Sequence, residues 1–561
     1  MNILGLNGWN NRSHDAAACI IKNNRLVFVV EEERITRKKH SFDLTPIQST
    51  LYALKYSNLT IDDIDLIAFG WDFTKWFGEK ISKKEIFNTL LPKNVFSYRK
   101  NPDLILVSHH LAHAYYSYYS SPFVNQKSAI LIIDGQGERE STSFGYASGN
   151  KISLDFSLSA SQSLGYFYEA ACRFLGYSNL DGGKLMGLAG YGYGKRENFK
   201  FGHKLNYHKQ KLSGFPNFIA KGIDVEEETI NWWIRYFEKI FHLQPKQNKY
   251  KFSSSFKFEK ERDNNTEGEY ITVAHTVQQI LEKVILQMTG ELKDNYRTDK
   301  LVLGGGVALN CSVNQKIINT HKINLYIPSS PADSGVAIGA AIYGVRQHNK
   351  KPILGLQSPY LGPEYTNNEV KKLLNGNKIA YSYTKNPDDI AASLLEKNYL
   401  LGWFQSKMEF GPRALGNRSI LANPLFKENK YRLNKLKGRE RWRPLGVSII
   451  EEEVKNYFET KNISPYMMMA VKVNEKLKKM CSAVVHIDGT SRSQLVKKGD
   501  NPTFHNLIKK FGKLSGLPIV INTSFNRYDE PIVNSPEDAL RTFFTTSLDA
   551  LILNNYVITK K

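Results

Sequence analysis

Two histidines, His109 and His113, stand four residues apart in a stretch that reads HHLAHA. On a helix this spacing places both imidazoles on one face, about one turn apart. Asp134 follows the apolar run SAILII, and Asp333 opens a distant segment rich in Gly and Ala. Two neutral imidazoles and a carboxylate leave coordination positions for substrate, as Lewis-acid catalysis requires. The pattern therefore predicts a divalent metal ion held by His109, His113 and Asp333, with Asp134 near the metal or a bound phosphate.

The HxxxH spacing alone favours a pair of hydrogen-bonded core histidines over metal ligands. Asp333 shifts the balance, because a carboxylate at the mouth of a Gly-rich loop usually faces a ligand. A metallopeptidase is disfavoured, because no glutamate stands between the histidines as it does in HExxH.

Two glycine-rich loops add a nucleotide site to this interpretation. They read DGGKLMGLAG at 181–190 and GGGVALN at 304–310. Glycines let backbone N–H groups approach phosphate oxygens, and Lys184 supplies a positive charge. Neither loop matches GxxxxGK[ST], so a P-loop is excluded. Each loop alone is weak evidence, but as a pair beside the metal motif they predict phosphate binding.

His14 and Asp15 follow the first predicted strand in a loop of Gly, Asn and Ser. An imidazole there can take a proton from an acceptor hydroxyl, since histidine titrates near neutrality. The alternative is that Asp15 caps a turn and His14 is incidental. The charged run EEER at 31–34 is typical of a solvated strand end, although one of its carboxylates could orient His14.

The C-terminal third carries a second concentration of charge. Arg413 and Arg418 stand among glycines in EFGPRALGNRS, and four cations follow closely: Lys437, Arg439, Arg441 and Arg443. Converging guanidinium groups clamp phosphate or carboxylate; the alternative is a solvated basic face. Two further polar stretches follow apolar runs and suit a triphosphate with Mg²⁺. Their candidate ligands are His486, Asp488, Arg492, Asn522, Thr523, Ser524 and Asn526.

The elements that must position these residues alternate between strands and helices. A strand, a Gly loop and a helix recur in both halves of 1–355, which predicts a duplicated α/β domain of the actin-like (RNase H-like) type with nucleotide in its cleft. Residues 195–265 are rich in Lys and aromatics and are predicted to be an insertion. Prolines mark 356–366 as a linker. A second α/β domain is predicted over 367–561, with strands that include 482–487.

Composition limits the class of protein. The 561 residues carry a formal net charge of +22, and 41% are hydrophobic, which fits a soluble protein of at least two large domains. Neither a secretory signal nor a membrane span is expected. Four scattered cysteines in apolar surroundings predict buried, reduced thiols in a cytoplasmic protein. The charge predicts polyanion binding or, alternatively, reflects a coding bias towards Lys.

Six motifs together resemble the carbamoyltransferase family that includes the nodulation-factor and tobramycin O-carbamoyltransferases. They are HHLAHA, DGGKLMGLAGYG, GGGVALN, EFGPRALGNRSI, VVHIDGTSR and NTSFN, in matching order across nearly the whole chain. The resemblance implies a YrdC-like C-terminal domain that makes carbamoyl-adenylate from carbamoyl phosphate and ATP. It also implies an actin-like N-terminal domain that passes the carbamoyl group to an acceptor hydroxyl beside a divalent metal, iron, manganese or a similar ion.

The resemblance also implies roles for individual residues. The metal ligands would be His109, His113 and Asp333, with Asp134 nearby, and His14 would be the base on the acceptor side. The adenylate would lie on Gly304, Gly305 and Asn310. Carbamoyl phosphate would be bound by Arg413, Arg418, Lys437 and Arg443. ATP would be faced by Thr523, Ser524, Asn526, His486 and Arg492. The family usually continues RPFAP where this chain has RPLGV from Arg443, which puts the local loop geometry in question.

The acceptor stays open at this point. Cations alternate with aromatics at 246–258 and, around Lys204, Tyr207 and Lys209, at 199–209, as in nucleic-acid grooves; the alternative is a β-hairpin with one buried face. Together with the net charge this favours 5-hydroxymethylcytosine in DNA. A sugar, nodulation factor or antibiotic is the alternative acceptor, and a non-catalytic ATP-dependent nucleic-acid binder is the alternative class. The oligomeric state stays open, with a homodimer as one option.

Overall fold

The chain folds into two compact units of mixed α/β structure, so the predicted α/β class is confirmed. The computed structural model describes residues 1–10, 13–75, 81–192, 204–218, 225–246, 268–348, 353–460 and 462–560. The first unit comprises Met1–Asn7, Cys19–Leu26 and Leu59–Gln357. The second comprises Gly8–Ala18, Val27–Asn58 and Ser358–Lys561.

The described residues before 350 form twelve strands. They are β1 Asn2–Asn7, β2 Ala17–Lys22, β3 Arg25–Glu31, β4 Leu66–Phe69, β5 Asp103–Leu106, β6 Ser128–Ile133, β7 Glu140–Ser148, β8 Lys151–Ser159, β9 Asn206–His208, β10 Lys211–Ser213, β11 Lys300–Gly304 and β12 Asn324–Tyr326. Ten α-helices lie among them. They are α1 Glu32–Thr36, α2 Ile47–Ser57, α3 Lys83–Leu90, α4 His109–Tyr119, α5 Leu164–Phe174, α6 Gly182–Ala189, α7 Val225–Phe241, α8 Gly268–Tyr296, α9 Cys311–His321 and α10 Val336–His348.

The two five-stranded sheets repeat one topology. The first has the order β3-β2-β1-β4-β5, and the second has the order β8-β7-β6-β11-β12. In the first sheet, β1 pairs in parallel with β4, and β4 pairs in parallel with β5. In the second sheet, β6 pairs in parallel with β11, and β11 pairs in parallel with β12. The same order twice is a duplicated α/β arrangement, as the repeated strand, Gly loop and helix predicted.

The described residues from 353 onwards form one mixed sheet of nine strands with seven α-helices. Its strands are β13 Ser382–Tyr383, β14 Leu401–Phe404, β15 Arg418–Ala422, β16 Gly446–Ile450, β17 Ala470–Lys472, β18 Thr490–Val496, β19 Ile519–Ser524, β20 Ala550–Leu553 and β21 Tyr556–Thr559. Its helices are α11 Asn367–Gly376, α12 Pro387–Glu396, α13 Asn429–Leu436, α14 Val454–Tyr457, α15 Glu475–Met480, α16 Pro502–Ser515 and α17 Pro536–Phe544.

Small residues bring two helices of the first unit into close contact. The sequence VAIGAAIYGV of α10 packs against α4, and a Cβ on Gly339 would lie 1.8 Å from the carbonyl oxygen of Ala112. A Cβ on Gly335 would lie 2.1 Å from the carbonyl oxygen of Ser330. Any side chain at either position would push the two segments apart. This close packing places the start of α10 beside the histidines of α4.

The structure tests three sequence expectations, which concern residues 482–487, residues 31–34 and the cysteines. The predicted strand at 482–487 is wrong: His486 N–H bonds to Thr490 O and Gly489 N–H to His486 O, so this stretch is a turn. The run at 31–34 is not a solvated strand end, because Glu31, Glu32 and Arg34 are 2–4% exposed. The prediction of buried thiols outside disulfides is confirmed for all four cysteines.

Two N-terminal segments fold with the second unit although the sequence analysis placed them in the N-terminal domain. Gly8–Ala18 and Val27–Asn58 belong to that unit. Arg34 and Arg37 explain this, because their guanidinium groups donate to backbone carbonyls at Gly411, Pro531 and Ile532.

Over the described ranges, no helix has the length and apolarity that crossing a bilayer would require.

Candidate functional site

Four buried side chains of the first unit point at one spot. His109 Nε2 and His113 Nε2 lie 3.2 Å apart. Asp134 Oδ2 is 3.0 Å from His113 Nε2 and 3.7 Å from His109 Nε2. Asp333 Oδ1 is 3.8 Å and 3.6 Å from the same two nitrogens. Metal–ligand bonds of about 2.0–2.2 Å separate neighbouring ligands by roughly 3–3.5 Å, so these spacings suit a cation among the four groups.

The strands and helices around this cluster explain its convergence. Asp134 follows β6 at the carboxyl end of the sheet, and α4 supplies both histidines from one face. Asp333 stands in the short turn that leads into α10, which packs on α4. The sequence analysis therefore chose side chains that the fold brings together.

Three residues that the sequence analysis missed orient His109. Its ring stacks on Trp71 with centroids 3.8 Å apart, and its Nδ1 lies 3.3 Å from the carbonyl oxygen of Gly70. A donor Nδ1–H towards that carbonyl leaves Nε2 with its lone pair, as a metal ligand needs. The buried carboxylate of Glu138 accepts the backbone N–H of His109 and so caps the first turn of α4. A single sequence gives no signal for contacts of this kind.

The electrostatics of the cluster favour a cation. Burial alone would lower the pKa of His109, but the Asp333 carboxylate and hydrogen bonding to Asp134 raise that pKa to about 10. Burial likewise works against ionisation of Asp134, yet the two imidazoles hold the pKa of that carboxyl well below its usual range. Asp134 Oδ2 is buried and faces the two imidazoles, with His113 Nε2 at 3.0 Å. A divalent cation would satisfy this oxygen and supply the missing positive charge, so the donor set fits a metal.

In protein freed of metal by a chelator, we expect the free energy of unfolding to fall as pH rises from about 6.5 to about 10. The folded-state pKa of His109, about 10, lies above the ~6.5 of an unfolded histidine. The stabilisation is therefore complete below the lower value and lost as pH passes the higher one. Urea denaturation at several pH values measures it, and His109→Asn should remove this slope. A chelated wild-type protein whose stability is flat over this window contradicts the assignment.

The second predicted glycine loop lies beside the metal candidates. Gly306 N–H donates to Asp134 Oδ1 over 3.2 Å. Gly305 has φ +87°, and a Cβ there would lie 2.2 Å from the carbonyl oxygen of Ile133, so only glycine fits this position. A Cβ on Gly304 would lie 2.7 Å from Ser117 Oγ. The glycines therefore let this loop pack closely against β6 and α4 beside Asp134, and its contact with a phosphate stays a prediction.

Asn310 and Lys184, the other nucleotide candidates of this unit, are occupied within the protein. Asn310 Oδ1 caps α9 through Val313 N–H, and its amide also pairs with the amide of Gln278. Lys184 Nζ lies 2.7 Å from Asp181 Oδ2 and is 4% exposed. The structure thus places both near the glycine loops in structural bonds, and their roles towards an adenylate stay predictions.

A cluster of cations forms in the second unit. Lys437 is buried, and its Nζ donates to Ser524 Oγ at 3.1 Å and Asn526 Oδ1 at 2.6 Å. Burial lowers the pKa of Lys437 well below its usual value, and the nearby charge of Arg439 lowers it further. The sequence-predicted Lys437, Ser524 and Asn526 are therefore in direct contact.

Four arginines complete this cationic cluster, which we define as Arg413, Lys437, Arg439, Arg443 and Arg492. Burial lowers the pKa of Arg439 well below its usual value, and repulsion from Arg443, Arg492 and Arg413 adds to the effect. Like charges brought together in a partly buried site destabilise one another unless an anion offsets them. Glu440, 3.9 Å from Arg443, offsets part of this charge, and the role of the cluster as a phosphate clamp stays a prediction.

Arg418 lies elsewhere, although it stands in the same sequence motif as Arg413. It is fully buried, and its guanidinium donates to the backbone carbonyls of Gln405, Asn417, Pro363 and Ser406. Burial lowers its pKa to about 10. The structure gives Arg418 the task of holding this loop rather than presenting charge to a ligand.

Two further candidates of the second unit are His486 and Asp488. His486 is near Arg492, and burial, with that charge and Lys430, lowers its pKa to about 4, so it is neutral at pH 7. Asp488 accepts from Thr490 within the same turn.

Three predicted residues of NTSFN, Asn522, Thr523 and Ser524, lie inside β19 instead of after it. Asn522 is fully buried and donates to Ser448 Oγ and Gln494 Oε1 beneath the loop. Thr523 is buried and pairs with Ile420 across the sheet. Asn522 and Thr523 contribute to the sheet below the cluster, and their contact with ATP stays a prediction.

His14 belongs to the second unit. Its Nδ1 lies 3.1 Å from Asp15 Oδ2, and Asp15 Oδ1 lies 3.0 Å from His40 Nδ1. Burial works against ionisation, but the two imidazoles, His40 foremost, hold the pKa of Asp15 below its usual range. Asp15 thus contacts both imidazoles, and the role of His14 as a base stays a prediction. Asp15, Glu33 and His40 also come close enough to form a second, less buried group of possible ligands.

Most of the proposed nucleic-acid stretch lies outside the described residues. This holds for 247–258 and 199–201. Tyr207 lies on the β9–β10 hairpin, where it is 3% exposed and stacks on Phe144 with centroids 5.4 Å apart. The described part of this stretch therefore matches the hairpin alternative with one buried face.

Comparison with known proteins gives matches along almost the whole chain. The family model "Carbamoyltransferase N-terminus" matches residues 2–73 and 70–342, and "Carbamoyltransferase C-terminus" matches 392–560. The chain is 31% identical to the uncharacterized protein sll1178 of Synechocystis sp., covering 100% of this chain and 97% of the relative. It is 31% identical to the nodulation protein NolNO of Sinorhizobium fredii, covering 98% and 79%. It is also 31% identical to the 3'-hydroxymethylcephem-O-carbamoyltransferase of Streptomyces clavuligerus, covering 43% and 45%.

Proposed function

Because the chain belongs to the carbamoyltransferase family and is an enzyme that transfers carbamoyl groups, we propose the following reaction for it. The enzyme uses carbamoyl phosphate and ATP to form a carbamoyl-adenylate, and then transfers the carbamoyl group to an acceptor hydroxyl. We assign the first half-reaction to the cationic cluster of the second unit and the second to the His/Asp cluster of the first.

The observation that carries this proposal is the cationic cluster. Arg439 lies near Arg443, Arg492, Arg413 and Lys437, and burial with the repulsion among these groups lowers the pKa of both Lys437 and Arg439. Carbamoyl phosphate and the triphosphate of ATP are polyanions that offset such repulsion, and guanidinium groups bind phosphate oxygens in pairs. A site for an uncharged substrate would have no use for this arrangement.

The proposed first half-reaction has two steps. Water cleaves the carbamoyl–phosphate bond, which gives carbamate and inorganic phosphate. A carbamate oxygen then attacks the α-phosphorus of ATP, and pyrophosphate leaves. We assign Arg439 and Arg443 to the phosphate of the first substrate, and Lys437, which Ser524 and Asn526 hold, to stabilising the negative charge that develops during the reaction. Mg²⁺ accompanies the ATP.

Adenylation solves a chemical problem. Carbamate is a poor electrophile because its oxygens are anionic, and the adenylate neutralises that charge and provides a leaving group. In the second half-reaction the acceptor oxygen attacks the carbamoyl carbon, AMP leaves, and the acceptor proton passes to a base. His14, oriented by Asp15, is our candidate for that base. Gly304–Gly306 provide the backbone that receives the adenylate phosphate.

The first unit holds the candidate metal site for this transfer. His109, His113, Asp134 and Asp333 are the residues that would bind a divalent ion, and the ion would polarise the carbonyl under attack. Trp71 and Glu138 fix the direction of His109, so that its Nε2 faces the same spot as Nε2 of His113. The buried Asp134 Oδ2 faces this spot as well.

For the acceptor we propose a hydroxymethyl or sugar hydroxyl, with two candidates. The net charge of +22 favours a polyanion such as DNA that contains 5-hydroxymethylcytosine, which would have to be single-stranded or extruded to reach the site. The names of the nodulation and cephem relatives favour a small molecule. We place the reaction in the cytoplasm, where both ATP and carbamoyl phosphate are available.

We expect mass spectrometry to find one added carbamoyl group on the true acceptor after incubation with ATP and carbamoyl phosphate, together with AMP. If DNA is the acceptor, its binding must weaken steeply with salt, because phosphate contacts release counterions. Turnover of a small polyol that is unchanged at high salt would favour the small-molecule alternative. No AMP under any condition would leave a non-catalytic nucleotide binder and overturn the proposal.

A further inference from the structure

Helix α1 is buried within the second unit although it lies far from the rest of that unit in sequence. Glu31, which precedes it, is 4% exposed, and Arg34 is 2% exposed. Taking a guanidinium and carboxylates out of water costs several kcal/mol per ion unless they are well bonded. None of these groups belongs to the cationic cluster or to the metal candidates. The hydrogen bonds of Glu31 and Arg34 hold a loop of the second unit in place.

Arg34 and Glu31 together hold one residue of the EFGPRALGNRS loop. Arg34 Nη2 donates to the carbonyl oxygen of Gly411 at 2.7 Å, and Glu31 Oε1 accepts the N–H of Gly411 at 2.8 Å. Gly411 has φ +108°, a conformation that L side chains rarely adopt. Both polar groups of one peptide position are thus fixed from α1, two residues before Arg413.

The same loop is closed from within by a second buried carboxylate. Glu409 Oε1 accepts the N–H groups of Leu415, Asn417 and Arg418 at 2.6–3.2 Å. The segment that carries Arg413 therefore has its start held by α1 and its end held by Glu409. Arg413 reaches the cationic cluster from the middle of this segment.

Arg37, which ends α1, holds a second loop of the same unit. Its two terminal nitrogens donate to the carbonyl oxygens of Ile532 and Pro531, both at 2.7 Å. That loop begins with Asn526, whose side chain contacts Lys437 at 2.6 Å. Arg34 and Arg37 therefore bind, from one turn of helix, the two loops that carry Arg413 and Asn526.

We infer that Arg34 and Arg37 are positioning residues for the cationic cluster: α1 sets the spacing between the loop that presents Arg413 and the loop that holds Lys437. This inference rests on the proposed role of the cluster as the carbamoyl phosphate site. Neither arginine touches substrate, and both act through backbone carbonyls. The N-terminal residues 27–58 are therefore part of the first half-reaction's machinery.

The test replaces each arginine by lysine in the full-length protein. Lysine keeps the charge but cannot donate two hydrogen bonds in the fixed fork of a guanidinium. We expect Arg34→Lys and Arg37→Lys each to raise the KM for carbamoyl phosphate about tenfold, the equivalent of ~1.4 kcal/mol, with kcat changed by less than about threefold. AMP release measures both constants. Arg37 is the more exposed of the two, so its variant should fold even if Arg34→Lys does not.

Arg432→Lys is the matched control. Arg432 lies in the same unit and likewise donates to a backbone carbonyl, that of Asn398 at 3.0 Å, and to Asp549 at 2.9 Å. Arg432 contacts neither the loop that carries Arg413 nor the loop that carries Asn526. The Arg432→Lys variant should therefore have a lower melting temperature and an unchanged KM for carbamoyl phosphate.

The outcomes separate this inference from the proposed function. If the α1 variants shift the KM no more than Arg432→Lys does, while Arg439→Ala raises it strongly, only the positioning role is wrong. If Arg439→Ala leaves the KM unchanged, the proposed site is wrong, and the positioning role is overturned with it.

Discussion

Replacing His113 by alanine is expected to lower carbamoyl transfer to the acceptor by about a thousandfold or more. Loss of a Lewis acid that stabilises developing charge costs several kcal/mol, and each 1.36 kcal/mol is tenfold in rate. His113 Nε2 stands 3.0 Å from Asp134 and 3.2 Å from His109 Nε2, so its removal opens the proposed coordination sphere. Bound metal, measured by mass spectrometry of the purified protein, should fall together with transfer. Carbamoyl-phosphate-dependent formation of adenylate should persist.

His110→Asn is the control for this variant. His110 is buried on the same helix and bonds to Ser143 Oγ at 2.7 Å, but it is not among the four converging ligands. Its substitution disturbs the packing of α4 to a similar degree, and metal content should remain. If His113→Ala keeps both its metal and its transfer rate, the metal assignment is wrong. If both variants lose metal, the loss comes from the helix and not from the ligand.

Replacing Arg439 by alanine is expected to raise the KM for carbamoyl phosphate about a hundredfold. Charge-assisted hydrogen bonds to phosphate contribute roughly 1.5–3 kcal/mol each, and Arg439 stands among three other guanidinium groups. At subsaturating carbamoyl phosphate, transfer falls because less adenylate is formed, while the metal content of the first unit stays unchanged. Steady-state AMP release against carbamoyl phosphate concentration gives the KM.

Arg441→Ala provides the comparison. Arg441 is exposed and lies over the ring of Tyr431 at 4.8 Å, outside the cationic cluster. It removes the same charge from the protein, so any effect of net charge alone appears in both variants. Equal KM values for Arg439→Ala and Arg441→Ala would show that the cluster does not bind this substrate.

The convergence of His109, His113, Asp134 and Asp333 was predictable because it follows from local rules. Helical spacing sets the two histidines on one face, and strand ends and Gly loops of an α/β sheet gather polar groups at one edge. The contacts that orient the imidazole ring of His109 were not predictable. Trp71 acts by stacking and Glu138 by accepting a backbone N–H, and neither contact leaves a pattern along the chain.

The arginines show a different limit of sequence reasoning. Arg413 and Arg418 are five residues apart in one motif, yet Arg418 is fully buried and bonded to four carbonyls while Arg413 joins the cationic cluster. Guanidinium groups serve backbone carbonyls and phosphates through the same donors, so residue type cannot tell the two uses apart. Only the path of the chain after Gly411 does.

Charge patterns misled in the N-terminal segment for a related reason. EEER at 31–34 has the composition of a solvated surface, but its partners are backbone groups of a segment almost 400 residues later in the chain. The turn at 482–487 has the apolar composition of a strand, but the hydrogen bond between His486 and Thr490 closes it locally. Strand order in the two repeated sheets follows from pairing between distant strands. It was anticipated only through the repetition of strand, Gly loop and helix.

The exchange of labelled pyrophosphate into ATP without acceptor tests the central claim most directly, since only reversible adenylate formation produces it. We predict exchange that requires carbamoyl phosphate in the wild-type protein and in His113→Ala, and none in Arg439→Ala at the same substrate concentration. Two results would contradict the account of two half-reactions in one chain. One is exchange at the same rate with and without carbamoyl phosphate, and the other is conversion of ATP to ADP with no exchange.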